Sequence, residues 1–111
     1  QQGQDKQWWR AKGYDTFAVA GPFLETETPS PDAWLRTRVN GEVRQEGQLN
    51  DMIRDPYTII SIASQAMTLN RGDMIMLGTP SGVGPLIPGD EVEVEIDGVG
   101  YLRNPVVLEK R

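Results

Sequence analysis

Two dipeptides, Asn40-Gly41 and Asp97-Gly98, constrain the fold of this chain more than any other feature. Each stands between runs with strand character: "WLRTRV" and "EVRQE" around the first, "DEVEVEI" and "VGYLRNPVVL" around the second. A two-residue type I′ turn needs positive φ at both central residues, and Asn-Gly and Asp-Gly meet that need at little steric cost. Two antiparallel hairpins are therefore expected. In the second, strict alternation puts Val92, Val94 and Ile96 on one face and Glu91, Glu93 and Glu95 on the other. A two-residue connection then sets Ile96 opposite Val99 and Val94 opposite Tyr101. The three glutamates could suggest a metal, but alternate positions on a half-buried strand read first as its solvated side. The first hairpin lacks a wholly apolar face. Its Arg36, Arg38, Glu42, Arg44 and Glu46 read as a solvated surface with cross-strand pairs.

Between the hairpins lies one convincing helix, "DPYTIISIASQAMTL". Asp55 suits the N-cap and Pro56 the first helical position, and Asn70 or Gly72 can end the helix. Ile59, Ile60, Ala63, Ala66 and Met67 recur at helical spacing, which predicts an apolar stripe used for core packing. "DMIML" reads as a short buried strand. Residues 1–33 carry many punctuators, with two short extended pieces expected at Trp8–Gly13 and Phe17–Ala20, and "PSPDAW" as a surface linker. The fold class that follows is mainly β (α+β), a β-roll or barrel-like sandwich with one main helix, in one domain of 111 residues.

Composition narrows the chemistry. The chain has no cysteine and no histidine, so thiol nucleophiles, thiolate metal sites and the commonest general base are excluded. The absence of cysteine suits a reducing cytoplasm. A net charge of −5 argues against nucleic acid as partner. No apolar run approaches the ~20 residues that span a bilayer. Any anion this acidic chain handles must be held by local devices such as a metal, a lysine or arginine, or backbone N–H groups. The start "QQGQDKQWW" has no initiator Met, which is compatible with a processed start or with a fragment of a longer protein.

The loop "GTPSGVGPLIPGD" is the first candidate for such a device. It is not a Walker loop, because no lysine follows Gly82 or Gly84. It is not a dinucleotide fingerprint, because Pro85 and Pro88 follow where a helix must begin. Its glycines could still turn N–H groups inward, with Thr79 and Ser81 adding hydroxyls, or it could be a plain structural loop. The second candidate is "RAKGYDTF", where Lys12 lies among Trp8, Trp9, Tyr14 and Phe17. Such surroundings can desolvate a lysine for proton transfer or carboxylate binding, or merely let it snorkel past tryptophans.

Taken together, "AKGYDTFAVAGPF", "RVNGEVRQEG", "DMI" and "LNRGDMIMLGTPSGVGPLIPGDEVEVEIDGVGYLRNPV" resemble the fumarylacetoacetate hydrolase family, in that family's order and from about Gln2 to Val107. The resemblance implies a mixed β-roll, a homodimer or larger assembly, and a Mg2+ or Mn2+ centre. It places the metal's Glu-x-Glu and Asp ligands, and a lid with a His–Glu pair, upstream of the residues present, so residues 1–111 would be the C-terminal part of one catalytic domain with no metal ligand of their own. Carried over position by position, Lys12 is the active-site lysine and Thr16 lies near the metal and its water. Thr79 contacts the carboxylate or keto oxygen of the substrate. Gln2 orients substrate, with Gln1 competing for that register, and Gly78 and Gly82 allow close backbone approach. Leu49 and Arg54 depart from a frequent threonine and a common aromatic, which touches substrate details rather than chemistry. The implied reaction is metal-dependent hydrolysis, isomerisation or decarboxylation of small 2-oxo or β-diketo acids through an enolate. The competing reading is a non-catalytic β-roll or dimerisation module.

Overall fold

Four strands pair in the order β2-β1-β3-β4 into one antiparallel sheet in the computed structural model, which describes residues 12–109. The strands are β1 (Trp34–Val39), β2 (Glu42–Gln48), β3 (Glu91–Ile96) and β4 (Gly100–Pro105). A 3-10 turn (Leu49–Asp51) and a helix, α1 (Pro56–Ala66), lie between the hairpins. The class is the expected mainly-β α+β arrangement with one main helix. The two hairpins meet through β1 and β3, which places segments some 55 residues apart in sequence at the centre, with Leu35 opposite Ile96 and Val39 opposite Val92.

The first hairpin forms as its turn chemistry dictates, with Asn40 at φ 53° and Gly41 at φ 82°. The second departs from the expected register. Ile96 pairs with Gly100 and Val94 with Leu102, so three residues rather than two make the connection. The left-handed position is Gly98 (φ 79°) alone, and Val99 N–H donates to Ile96 O at 3.0 Å. A turn with positive φ only at its third residue is of the type II kind rather than I′. A one-residue slip exchanges the two faces of a strand. Leu102, not Tyr101, therefore joins Val94 on the apolar face, and Arg103 arrives opposite Glu93.

That register turns the expected solvated side of β3 into a charge ladder. Arg38 Nη1 donates to Glu93 (3.0 Å) and Glu95 (2.7 Å), and Arg103 Nη2 donates to Glu93 at 2.6 Å. Arg36 bridges Glu46 on β2 (2.9 Å) and Asp97 (3.1 Å). The Glu93 side chain is only 19% exposed. Its carboxyl is held below the usual range, chiefly by the hydrogen bond from Arg103 and also by Arg38.

Elsewhere the local signals hold and the packing expectations do not. The Asp55 side chain accepts from Thr58 N–H at 3.0 Å, and Pro56 opens α1. The helix stops at Ala66, short of the expected Asn70 or Gly72, with Met67 extended at φ −152°. Beyond it, Asp73 closes a separate turn: its carboxylate accepts from Asn70 N–H (2.7 Å) while its own N–H donates to Asn70 O (3.1 Å), so Asn70 belongs to that turn and not to the helix end. The α1 stripe expected to pack a core is only partly covered, with Ile59 and Ala63 half-buried but Ile60 44% and Met67 61% exposed. "DMIML" is not a strand, because no described strand pairs with it, and Met74 and Met76 are exposed. Phe17–Ala20 likewise forms no strand, while residues 8–11 of the other expected piece lie outside the described residues. The "PSPDAW" segment is more than a surface linker. Asn50 N–H donates to Pro31 O (2.8 Å) and Leu49 N–H to Ala33 O (3.0 Å), and Ala33 is the one buried residue among those described. No described helix is long and apolar enough to cross a membrane.

Asn40 joins the hairpins. Its N–H donates to Glu91 O, its Oδ1 accepts from Glu91 N–H (both 2.9 Å), and its Nδ2 donates to Asp90 (2.8 Å). Asn40→Gly is expected to lower the chemical-denaturation midpoint by removing the side-chain bonds. Asn40→Ala loses more, by about 1–2 kcal/mol for an L-residue forced to positive φ. Equal losses in the two variants would contradict this account.

Glu93, Asp90 and Asp55 all titrate lower in the folded chain than in the unfolded one. Their contribution to stability is complete above the ordinary carboxylate pKa, roughly 4, and is lost as pH falls through the depressed folded values. Thermal midpoints are expected to hold from neutrality to about pH 5 and to drop below about pH 4. A midpoint level through that lower range would refute the assignment.

Candidate functional site

The Gly78–Gly82 segment lies against β2, and three contacts fix it there. Gln45 Nε2 donates to Thr79 Oγ1 and to Pro80 O, each at 2.8 Å. Pro80 sits over Gly47, where a Cβ would come within 3.3 Å of the proline ring. Gly82 (φ 102°) approaches the carbonyl of Arg44 so closely that any side chain there would collide with it.

This seat exists because β2 is bulged. Thr37 pairs with Gln45 and Arg38 with Val43, so Arg44 is the extra residue. A bulged residue leaves the ladder and frees its backbone groups. Here that frees the Arg44 carbonyl to face Gly82. Farther along, Asp90 accepts from Ile87 N–H at 2.9 Å, and Gly89 N–H donates to Val106 O at 2.9 Å. The Asp90 carboxyl is held below its usual range, first by the Ile87 N–H and then by Asn40.

The predicted site residues are placed unevenly. Thr79 is exposed, with its oxygen bonded to Gln45. Gly78 has positive φ (115°), but open space surrounds the position of a Cβ, so backbone conformation rather than close approach requires glycine there. Close approach is the role of Gly82. Lys12 is exposed. Tyr14 and Phe17 from its motif pack edge to face at 5.5 Å, while Phe17 N–H donates to Tyr14 O. Thr16 in that turn has φ 67°, an uncommon conformation for a β-branched residue and of the kind that clusters at functional sites. Among the described residues, the hydrogen bond at the Thr79 side chain is the one from Gln45. Gln2, Gln1, Trp8 and Trp9 lie outside the described residues. Gln45 was not singled out in the sequence. The signal for it is weak: the bulge that turns it toward the loop leaves no mark beyond the loss of alternation in "EVRQEG".

The described residues do not fit a divalent metal. No group of three or more acidic, histidine or cysteine side chains among them could hold one. The obvious candidates are already neutralised, with Glu93 and Glu95 on Arg38 and Glu93 on Arg103. Glu91 lies 3.5 Å from Arg103.

The C-terminal region of fumarylacetoacetate (FAA) hydrolases matches residues 1–107. The solved 5-carboxymethyl-2-hydroxymuconate delta-isomerase of Mycobacterium smegmatis superposes with a TM-score of 0.93 at 44% identity, over 99% of this chain and 44% of that one. The 4-hydroxyphenylacetate degradation bifunctional isomerase/decarboxylase of Salmonella dublin is 45% identical over 104 residues, 91% of this chain and 24% of that protein. Maleylpyruvate hydrolase of Sphingobium sp. SYK-6, solved in complex with manganese(II) and pyruvate, aligns with a TM-score of 0.80 at 39% identity, over 85% of this chain and 37% of that one. The chain spans 42–46% of the length of the first curated relatives that it matches.

Replacing either loop glycine tests which one carries the seat. Gly78→Ala should cost only the backbone strain of positive φ, about 1–2 kcal/mol. Gly82→Ala should cost that and also drive the loop off β2, seen as a larger loss of stability and faster amide exchange at Thr79. Equal effects at the two positions would show that Gly82 is not held against Arg44.

Proposed function

The chain belongs to the fumarylacetoacetate hydrolase family, and from that premise we propose that it forms one wall of a site for small 2-oxo or β-diketo acids. The protein that contains it is then a hydrolase, isomerase or decarboxylase working through an enolate. The observation that carries this reading is the seated Gly78–Gly82 loop, which presents the Thr79 hydroxyl at the surface of a chain with net charge −5. An acidic protein needs such a local donor to receive an anionic substrate.

In this reading each residue of the chain has a bounded task. Thr79 donates to the carboxylate or keto oxygen and fixes the acid's orientation. Lys12 brings a positive charge to the oxygen on which the enolate develops, the kind of stabilisation that counts most when it grows with the transition state. Thr16, held at positive φ, orders water beside the reacting centre, and Gln2 orients the substrate from the segment before it. Gly78 supplies the positive φ that turns the chain into Thr79. A Mg2+ or Mn2+ centre, of which the manganese and pyruvate in the Sphingobium hydrolase are the precedent, would take its ligands from parts of the full-length protein other than the described residues. Assembly as a homodimer or larger homo-oligomer, in the cytoplasm, completes the proposal.

The non-catalytic alternative has its own observation. The accessible surface is 9377 Å2, against about 6,100 Å2 for a folded monomer of this mass. This excess surface, with large apolar side chains such as Leu24, Ile53 and Met76 exposed, suits a module covered by other protein. Two measurements separate the readings. In the full-length protein, Lys12→Ala is expected to lower kcat for a 2-oxo acid at least about a hundredfold. Mn2+ titration should show tight binding by the full-length protein and none by residues 1–111. Unchanged turnover in Lys12→Ala would sink the enzymatic assignment of that residue, and absence of metal binding by the full-length protein would favour the module.

A further inference from the structure

The amide of Gln45 faces two oxygens at once, and only one assignment satisfies both. The Pro80 carbonyl can accept but cannot donate, so the NH2 end of the amide must point to the loop. Its two hydrogens then go to Pro80 O and Thr79 Oγ1, each at 2.8 Å. The threonine oxygen is thereby an acceptor toward β2. Its own hydrogen is left to point away from the strand, and no described residue accepts it. A hydroxyl without such a neighbour rotates and offers either polarity. Here Gln45 already occupies one of its two lone pairs, which biases the hydroxyl toward donating.

The geometry points to Gln45 as the positioning residue that sets the Thr79 hydroxyl as a hydrogen-bond donor toward an anionic ligand. This rests on the reading of Thr79 as a ligand-binding residue and adds the residue through which Thr79 acquires its polarity. The bulge is what makes the arrangement possible. It brings Gln45 opposite Thr37 and frees the Arg44 carbonyl against which Gly82 lies, so one distortion of β2 seats the loop at Thr79 and again three residues on. Gln45 touches neither substrate nor metal in this scheme and acts only through the threonine.

The test is a double-mutant cycle read by calorimetric titration of pyruvate into the full-length protein loaded with Mn2+. Thr79→Val and Gln45→Met are each expected to weaken pyruvate about tenfold and about fivefold respectively, magnitudes ordinary for one hydrogen bond and for its lost orientation. In the Thr79→Val background Gln45→Met should change nothing further, because no hydroxyl remains to be set. In the Thr79→Ser background, which keeps the hydroxyl, Gln45→Met should weaken binding again. Unchanged Mn2+ affinity certifies that each variant is folded. If Gln45→Met fails to fold, Gln45→Asn, one methylene too short to reach both oxygens, replaces it with the same pattern expected. An equal loss with and without the Thr79 hydroxyl would make Gln45 a loop anchor only and overturn the inference. So would normal binding in Gln45→Met alongside weak binding in Thr79→Val. Normal binding in Thr79→Val would instead remove the site reading itself, and this inference with it.

Discussion

One extra residue in β2 decides which side chains face which way. Counting back from the turn without a bulge, Val39 pairs with Glu42, Arg38 with Val43, Thr37 with Arg44 and Arg36 with Gln45. Side chains alternate with a period of two, so that register would place Arg44 beside the apolar residues and Gln45 opposite an arginine. The observed register jumps at Thr37/Arg38 instead. Gln45 comes to the side where the loop lies, and Glu46 comes opposite Arg36, which it bonds at 2.9 Å. The same insertion frees the Arg44 carbonyl for Gly82. The loop seat and one end of the charge ladder are thus two results of a single local event. Bulges are known to re-aim side chains beside functional sites, and this one re-aims both faces.

What could be read in the sequence follows from how local each determinant is. The Asn40-Gly41 turn and the Asp55-Pro56 helix start are settled within three or four residues, and both form as read. The register of the second hairpin was misread because Asp97-Gly98 suits a type I′ turn and a type II turn equally. The observed register pairs Arg103 with Glu93 and Leu102 with Val94, long-range matches that no turn dipeptide encodes. "DMIML" and the α1 stripe failed for a different reason. Their apolar pattern states that they are to be covered without naming the cover, and the described residues supply it only in part, at Ile59, Ala63 and Ile75. The site divides in the same manner. Thr79 and Lys12 were legible through a motif, whereas the role proposed for Gln45 depends on a bulge at Arg44, which lies 32 residues after Lys12 and 35 before Thr79 and is invisible in either motif alone.

The charge ladder explains how an acidic chain can bring arginines to its sheet without creating an anion site there. Arg36, Arg38 and Arg103 each meet one or two carboxylates on neighbouring strands. Their guanidinium groups are held even more firmly in the charged form by those bonds. The cations are consumed across the sheet, and the glutamates that could have held a metal are consumed with them. Exposed pairs of this kind add little to stability individually. Their larger effect is on specificity, since a slipped register would set Glu93 against a residue other than Arg103.

With the sheet arginines spent in the ladder, the proposed recognition of an anion by the Gly78–Gly82 loop itself would depend on dipoles rather than on a charge in the loop. A free hydroxyl is indifferent between an anion and a cation, and in a chain of net charge −5 that indifference would count against an anion. In the proposed scheme, directing the Thr79 proton outward reduces that indifference without adding a charge. It also avoids the desolvation that a buried lysine or arginine in the same loop would incur. The glycines flanking Thr79 serve the same end by different means: Gly78 bends the chain into place, and Gly82 lets the loop touch the strand that carries Gln45. A loop that looks unstructured by its composition is therefore seated on β2, and in the proposed scheme the orientation of one hydroxyl proton is the chemical output of the bulge.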